Sequence, residues 1–377
     1  MSAGDRAIAA LREAARDGVR LMPRGSGEWW PGTTDGARAL DGAPAGVTRV
    51  DAGDHVATVG AGTTLATLDR ALAADGAFVA LDAPGGTSRT LGGVLAAGSA
   101  GPLAALYGPP RDQVLGLTFV AGTGVVARTG GRVVKNVAGF DLAKAIIGAH
   151  GAFGFITEVH LRLRARPAAD RTRAWSGDLP RVEDAARRLL AAGAMPAAFE
   201  VTGPGLSRAL GVGDTWSLLV RALGTDTGVE EELAAAAAAV MGSGCAEAPA
   251  PGEAWPRWRS AVGAWPAVLR VGADPASWPE GIAAVERHAG RLADVSITVP
   301  RGTVRVGLPK LVPVVAAAIR VDAARRGWPV TLERADAATR ASVGVWGALP
   351  AGVGGLIERL RAVFDPLKLL AVPLAGA

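Results

Sequence analysis

Apolar positions recur with helical spacing at the start of the chain and with strand spacing soon after. Ile8, Leu11 and Ala15 share one helical face, and Gly18 stands where a helix C-cap belongs. Val19–Met22, Thr48–Val50 and Val56–Val59 read as short strands. Thr64 can cap a helix carrying Leu65, Leu68 and Leu72 that stops at Gly76. Val114–Val120 and Val125–Arg128 flank Gly122-Thr123-Gly124 as a hairpin, and Ile156–Leu163 alternates as a closing strand. Beyond Pro167 the pattern changes. Val182–Ala192, Val229–Met241 and Leu311–Arg326 read as helices. Ala198–Val201, Ser217–Leu223, Ala267–Val271, Thr303–Val306 and Pro329–Leu332 read as strands. That order predicts helices layered on one side of an antiparallel sheet, an α+β arrangement. A last helix is expected at Val353–Val363.

Length and composition sharpen this picture. At 377 residues the chain has room for two compact domains. Its 49% apolar and 20% charged residues exclude disorder. A lone Cys245 excludes a disulfide framework, a cysteine zinc site and a cysteine-ligated iron–sulfur cluster. The net charge of +5 is spread out, so no nucleic-acid stripe is visible. Asp5, Arg6, Arg12 and Glu13 interrupt the N-terminus, which reads as a helix and not a signal peptide. With no run of 18 apolar residues, a cytoplasmic protein is expected, without transmembrane segment.

The 52 glycines are the compositional oddity, and they cluster in three segments before residue 155. Arg24-Gly25-Ser26-Gly27-Glu28 follows a predicted strand. Small residues there let successive N–H groups approach an anion, although a plain glycine turn has the same composition. The second segment runs from Pro84 to Gly101, with Gly92 and Gly93 leading into a short helix at Val94–Ala97. The third joins Lys135–Asp141 to Gly148, Gly151 and Gly154. Neither standard nucleotide motif fits. Leu65 occupies the third small position of the pattern begun by Gly60-Ala61-Gly62, and no Gly-Lys-Ser or Gly-Lys-Thr occurs.

The strings RGSG (Arg24–Gly27), GGTSRTLGGVLAAG (Gly85–Gly98), RDQVLG (Arg111–Gly116), VVKNVAGFD (Val133–Asp141) and GAFGFITEVHLRL (Gly151–Leu163) resemble the flavin-binding domain of the vanillyl-alcohol oxidase, or PCMH-type, FAD superfamily. KNVAGFD is the most specific, and with it the chain is similar to the FAD-binding E subunits of glycolate oxidases. The resemblance implies a PCMH-type FAD-binding fold of two α+β subdomains over residues 1–168. It also implies a smaller antiparallel α+β cap domain over 169–350, and a C-terminal helix and tail (351–377) returning to the FAD domain. It carries FAD contacts onto Arg24, Gly25, Ser26, Gly27, Glu28, Gly92, Gly93, Gly98, Gly151 and Ile156. Glu28 stands where some relatives have a flavin-linking His, so noncovalent FAD is expected. Phe140 replaces a usual Tyr, and Ala371-Val372-Pro373-Leu374 replaces a usual Asn-Pro-Gly-Arg.

Flavin oxidation of a 2-hydroxy acid needs a base and a cation for the carboxylate. The histidines are only His55, His150, His160 and His288, too scattered for a metal site. His150 and the single Tyr107 are the candidates to approach a flavin, against structural roles for both. Trp29-Trp30 suits either the cofactor or a domain contact. Trp255, Trp258, Trp265 and Trp278, interleaved with Arg257 and Arg259, favour a partner surface over a lid or plain core. The expectation is therefore an FAD-binding subunit of a glycolate oxidase or dehydrogenase complex. A related FAD-linked catalytic subunit and an iron–sulfur subunit would be its partners, at a membrane surface through them or free. The alternatives are a self-sufficient FAD oxidoreductase acting on a small hydroxy acid or alcohol, and a flavin-free binding module.

Overall fold

Leu65, Leu68 and Leu72 bury one side of the helix Leu65–Ala73, whose first turn is closed by the Thr64 hydroxyl accepting from the Thr67 N–H at 3.1 Å. The computed structural model describes residues 3–32, 36–132, 141–292, 294–347, 349 and 351–371. Most of the KNVAGFD string, Lys135–Phe140, and the tail from Val372 lie outside the described residues. The helix packs on an antiparallel five-stranded sheet ordered Val47–Asp51, Val56–Gly60, Phe155–Arg162, Val114–Val120, Val126–Gly130. Leu91, Leu117, Phe119, Val159 and Leu161 complete that core. The predicted hairpin and closing strand are both present. One start shifts: Thr90 caps a helix at Leu91–Ala96, so Gly92 and Gly93 form its first turn.

A short parallel pair, Leu21–Pro23 with Arg38–Leu40, stands beside this sheet. Leu370 adds to it: Leu21 N–H donates to Leu369 O at 2.7 Å, and Ala371 N–H donates to Leu21 O at 2.8 Å. Buried Asp365 holds that return by accepting from the Leu369 and Leu370 amides at 2.8 and 2.9 Å.

From Ala169 onward the strands join an eight-stranded antiparallel sheet. Its order is Ala246–Ala248, Ala169–Gly177, Trp216–Gly224, Ala198–Thr202, Val295–Thr298, Thr303–Leu308, Ala267–Gly272, Val330–Arg334. Trp175, Phe199, Val201, Leu218, Val220, Leu269 and Val306 face one way. The helices Leu179–Ala191, Asp226–Val240, Trp278–Ala289 and Pro313–Ala324 cover that face. The opposite face is not bare. The helices Pro204–Leu210 and Ala254–Ala264 pack on Ala174, Ala198, Leu219 and Val268. This corrects the expectation of helices on one side only. It also corrects the reading of the tryptophan stretch as a partner surface. Trp255, Trp258, Trp265 and Trp278 are all buried, and Trp258 donates from Nε1 to Ser296 Oγ at 2.9 Å. These rings are core, and Arg257, between Trp255 and Trp258, donates to Leu210 O at 3.4 Å.

The rest of the second face is polar and buried. Facing rungs bring Glu200 opposite Thr298, Ser296 opposite Arg305, and Arg270 opposite both Arg305 and Thr331. Period-two alternation explains the placement: each of these residues lies between neighbours whose side chains feed the apolar face. What covers the polar patch is the first sheet's loops. Arg305 Nη2 donates to Ala100 O at 2.7 Å, Trp30 Nε1 to Glu333 O at 2.9 Å, and Arg340 Nη2 to Pro31 O at 2.9 Å. Among the described residues, no helix is long and apolar enough to cross a membrane.

Candidate functional site

The three glycine segments converge. A cleft of about 290 Å³ is lined by Pro23 to Gly27, Trp29 and Trp30, by Ala61 and Gly62, by Arg89 to Gly93, and by His150, Gly151 and Ile156, among others. The walls approach as backbone to backbone. A Cβ on Gly25 would overlap Thr90 Oγ1 and lie 3.3 Å from Gly93 Cα. A Cβ on Gly92 would sit 2.9 Å from that of Ala61, and one on Gly151, at φ +85°, would sit 2.8 Å from Pro23. Among the described residues, no oxygen accepts from the N–H groups of Gly25, Ser26 or Gly27, while the preceding Arg24 N–H is used by Leu40 O. Three consecutive free amides with a left-handed Gly27 (φ +75°) make a concavity for an anion.

Charge agrees with that. Arg24 and Arg89 line the cleft, and no carboxylate is among its described lining residues. Arg24 pairs with exposed Asp41 at 3.0 Å. Arg89 is buried, stacks 4.7 Å from the Trp29 ring, and donates to Pro84 O and to Ser99 Oγ (3.1 Å). Burial drives its pKa down to about 9, with Glu333 and Glu28 opposing, so it stays cationic at neutral pH. His150 is stacked on Trp30 with centroids 4.6 Å apart. Burial, aided by Arg270, pushes its imidazole down to about 4, so the ring is neutral.

Of the ten residues expected at the cofactor, Arg24, Gly25, Ser26, Gly27, Gly92, Gly93, Gly151 and Ile156 line this cleft. Glu28 turns aside, accepting from the Gly86 N–H and the Ser88 hydroxyl, and so ties the first glycine loop to the second. Gly98, at φ +57°, packs where a Cβ would lie 3.1 Å from Gly148 Cα, joining the second segment to the third. Tyr107 is away from the cleft, with Arg164 over its ring at 4.6 Å and Phe78 at its edge. His160 Nδ1 shares a hydrogen bond with Thr58 Oγ1 at 3.1 Å, and His288 faces Asp322 at 3.6 Å. Sequence reasoning passed over Arg89 and Thr90, although both stand inside the glycine-rich string.

Residues 4–130 match the FAD binding domain family. Glycolate oxidase subunit GlcE of Escherichia coli (strain K12) is 38% identical over 125 residues, 33% of this chain and 36% of that protein. The FAD-binding chain also resembles glycolate oxidase subunit GlcD of Bacillus subtilis (strain 168), at 33% identity over 158 residues, 41% of this chain and 34% of that one. These matches span only about a third of each relative's length. In fold, 4-ethylphenol oxidase from Gulosibacter chungangensis superposes with a TM-score of 0.72 at 16% identity, covering 98% of this chain and 86% of that one. The free amides, the two arginines and the carboxylate-free lining fit FAD. The chain is an α+β protein with an FAD binding domain match in its first part.

Proposed function

We propose that this chain is the FAD-binding subunit of a glycolate oxidase-type complex, holding FAD noncovalently and supporting oxidation of a 2-hydroxy acid. Residues 1–168 serve as the FAD domain, 169–350 as the cap, and 351–377 as the returning tail. The observation that carries the reading is the row of free amides at Gly25, Ser26 and Gly27, closed against Gly93 in a cleft without carboxylates. These amides and Arg89 hold the pyrophosphate charge, with Gly92, Gly93, Gly151 and Ile156 lining the same cleft and Glu28 and Gly98 bracing the loops. The bound flavin supplies the two-electron acceptor. Neutral His150 and Trp30 exclude water from the cleft wall.

Partners enter because the described cleft lining offers no carboxylate, and its imidazole, His150, is pushed down to about 4 and so is a weak base for a hydroxyl proton. A related FAD-linked subunit supplies that group, and an iron–sulfur subunit takes the electrons, since Cys245 cannot ligate a cluster alone. The GlcE and GlcD likenesses support that assembly. It would work in the cytoplasm or at a membrane surface through its partners. The test is anaerobic mixing of the purified yellow chain with glycolate. The oxidised-flavin band should persist for minutes alone and bleach when the partner subunits are added. Bleaching within seconds by the chain alone would promote the self-sufficient oxidoreductase.

A further inference from the structure

The helix Ala254–Ala264 packs on the second face of the eight-stranded sheet, yet its last turn touches the scaffold of the candidate flavin cleft. Gly263 is the point of contact. A Cβ there would sit 2.5 Å from Gly85 Cα and 3.0 Å from Gly85 N. The two backbones therefore meet with no side chain between them. One turn earlier, the Arg259 carbonyl accepts from the Gly85 N–H at 2.9 Å. Gly263 is not in the left-handed region, so a helix-ending turn does not account for it. Alanine would make a better helix. Close approach is the reason that remains.

The neighbours of Gly85 carry the contact onward. Gly85 is held at φ +99°, and a Cβ on it would lie 2.7 Å from Arg89 Cδ and 3.5 Å from both Glu28 Oε1 and the Trp29 ring. Arg89 stacks on that ring. Glu28 accepts from the Gly86 N–H and the Ser88 hydroxyl, and it directly follows Gly27, the last of the three free amides. Glu28 is also among the carboxylates that act on the Arg259 guanidinium. Trp29 in turn shares a buried cluster with Trp255, Trp258 and Val262 of the helix. The helix thus reaches the first glycine loop by two routes, the backbone of Gly85 and the ring of Trp29. Neither Gly263 nor Gly85 is among the described residues lining the cleft.

We infer that Gly263 is a positioning residue for the cofactor: it lets the helix Ala254–Ala264 seat on Gly85 and so holds the amides of Gly25, Ser26 and Gly27 where one anion meets all three. The inference rests on the flavin reading and adds that the second domain, not the glycine loops alone, sets the affinity for FAD. A methyl group at position 263 has to retreat by about 1 Å to reach ordinary carbon contact at about 3.5 Å. Hydrogen bonds lose strength steeply when donors leave their alignment, so the three amides cannot all follow such a shift. Coupling of this kind is reciprocal. If the helix steadies the site for FAD, bound FAD steadies the helix.

The experiment titrates FAD into the flavin-stripped full chain, read by flavin fluorescence, together with melting curves and amide hydrogen exchange. Gly263→Ala should weaken FAD binding by about tenfold or more. Val285→Ala opens a cavity in the core on the other face of the sheet. It should lower the melting temperature and leave FAD affinity within about twofold of wild type. In the wild type, saturating FAD should slow exchange across residues 254–264, although none of them is among the described lining of the cleft. In Gly263→Ala that protection should shrink. FAD held as tightly by Gly263→Ala as by wild type would overturn the role. So would an equal loss of FAD in Val285→Ala, because stability of the second domain would then explain both. Absence of FAD-dependent protection at 254–264 in the wild type overturns it even where Gly263→Ala does not fold. A wild type that takes up no FAD overturns the flavin reading and this role with it, whereas the other adverse results overturn this role alone.

Discussion

The two polar regions of this molecule are built from opposite materials. The candidate flavin cleft relies on backbone: amides at Gly25, Ser26 and Gly27, with Gly25 and Gly92 packed too closely on Thr90 and Ala61 to carry a Cβ. The patch facing it on the eight-stranded sheet is made of side chains, with Arg270, Arg305 and Glu333 interlocked and Glu200 and Thr298 on neighbouring rungs. Backbone recognition needs room, so the first region tolerates no added Cβ. A buried ionic patch needs partners, so the second tolerates no missing side chain. Substitution tests should therefore act in different currencies: cofactor content in the first, stability in the second.

The largest effect belongs to the first region. Gly25→Val puts branched carbon into the space of Thr90 Oγ1 and Gly93. It should abolish access to the free amides. Losing two charge-assisted hydrogen bonds at about 1.5–3 kcal/mol each weakens FAD binding by about 10²- to 10⁴-fold. The check is flavin per chain after gel filtration, with circular dichroism to show a retained fold. A fully yellow variant would show that this loop is only a turn.

Next comes the second region. Arg305→Met strands Glu333 with Arg270 alone and leaves Ala100 O without its donor. Removing one partner of a buried pair costs about 3–5 kcal/mol. Arg171, paired on the surface with Asp226 and Glu230, gives the contrast: Arg171→Met should change stability by less than about 1 kcal/mol. Denaturant unfolding of both variants decides it. Equal losses would mean that burial at Arg305 adds nothing.

That contrast also explains what could be read from the sequence. Glycine strings announce themselves because a string such as Gly85–Gly98 has few other reasons to exist, and the cleft residues follow from it. The helices at Leu65–Ala73 and Leu179–Ala191 were legible from apolar spacing, the first also from its cap Thr64. The ionic patch was not. Thr303-Val304-Arg305-Val306 alternates just as a strand with one wet face does, and only the docking of Ala100 and Trp30 makes that face dry. The tryptophan stretch failed for the related reason that Trp and Arg mark interfaces and cores alike. Burial of Trp258 depends on Ser296, far away in the chain. The strands Ala169–Gly177 and Val295–Thr298 escaped because charged residues break the first and the second is only four residues long.

The finest comparison sets one titrating group against another. His150 lies in the candidate flavin cleft and Glu200 in the polar patch, and burial favours the neutral form of each. His150 is pushed down to about 4 from an ordinary 6.5. The unfolded chain therefore binds the extra proton between those values, and the stability present above pH 6.5 is lost as pH falls toward 4. Glu200 is pushed up to about 7 from 4.5 by burial, with Ser296 and Arg305 opposing. Here the folded chain holds the extra proton, so stability present below 4.5 is lost as pH rises through 7. Each shift corresponds to roughly 3 kcal/mol at full extent. Their slopes oppose one another between pH 4.5 and 6.5 and nearly cancel. Each single variant should uncover the other group. Glu200→Gln should become progressively more stable relative to wild type as pH rises from 5 to 8. His150→Asn, which tolerates the same left-handed backbone (φ 53°), should gain relative to wild type as pH falls from 7 to 4.5. Unfolding free energies across that range, at fixed flavin occupancy, give both difference curves. Curves parallel to wild type would mean that water reaches these groups, and that the two regions are not dry where they meet.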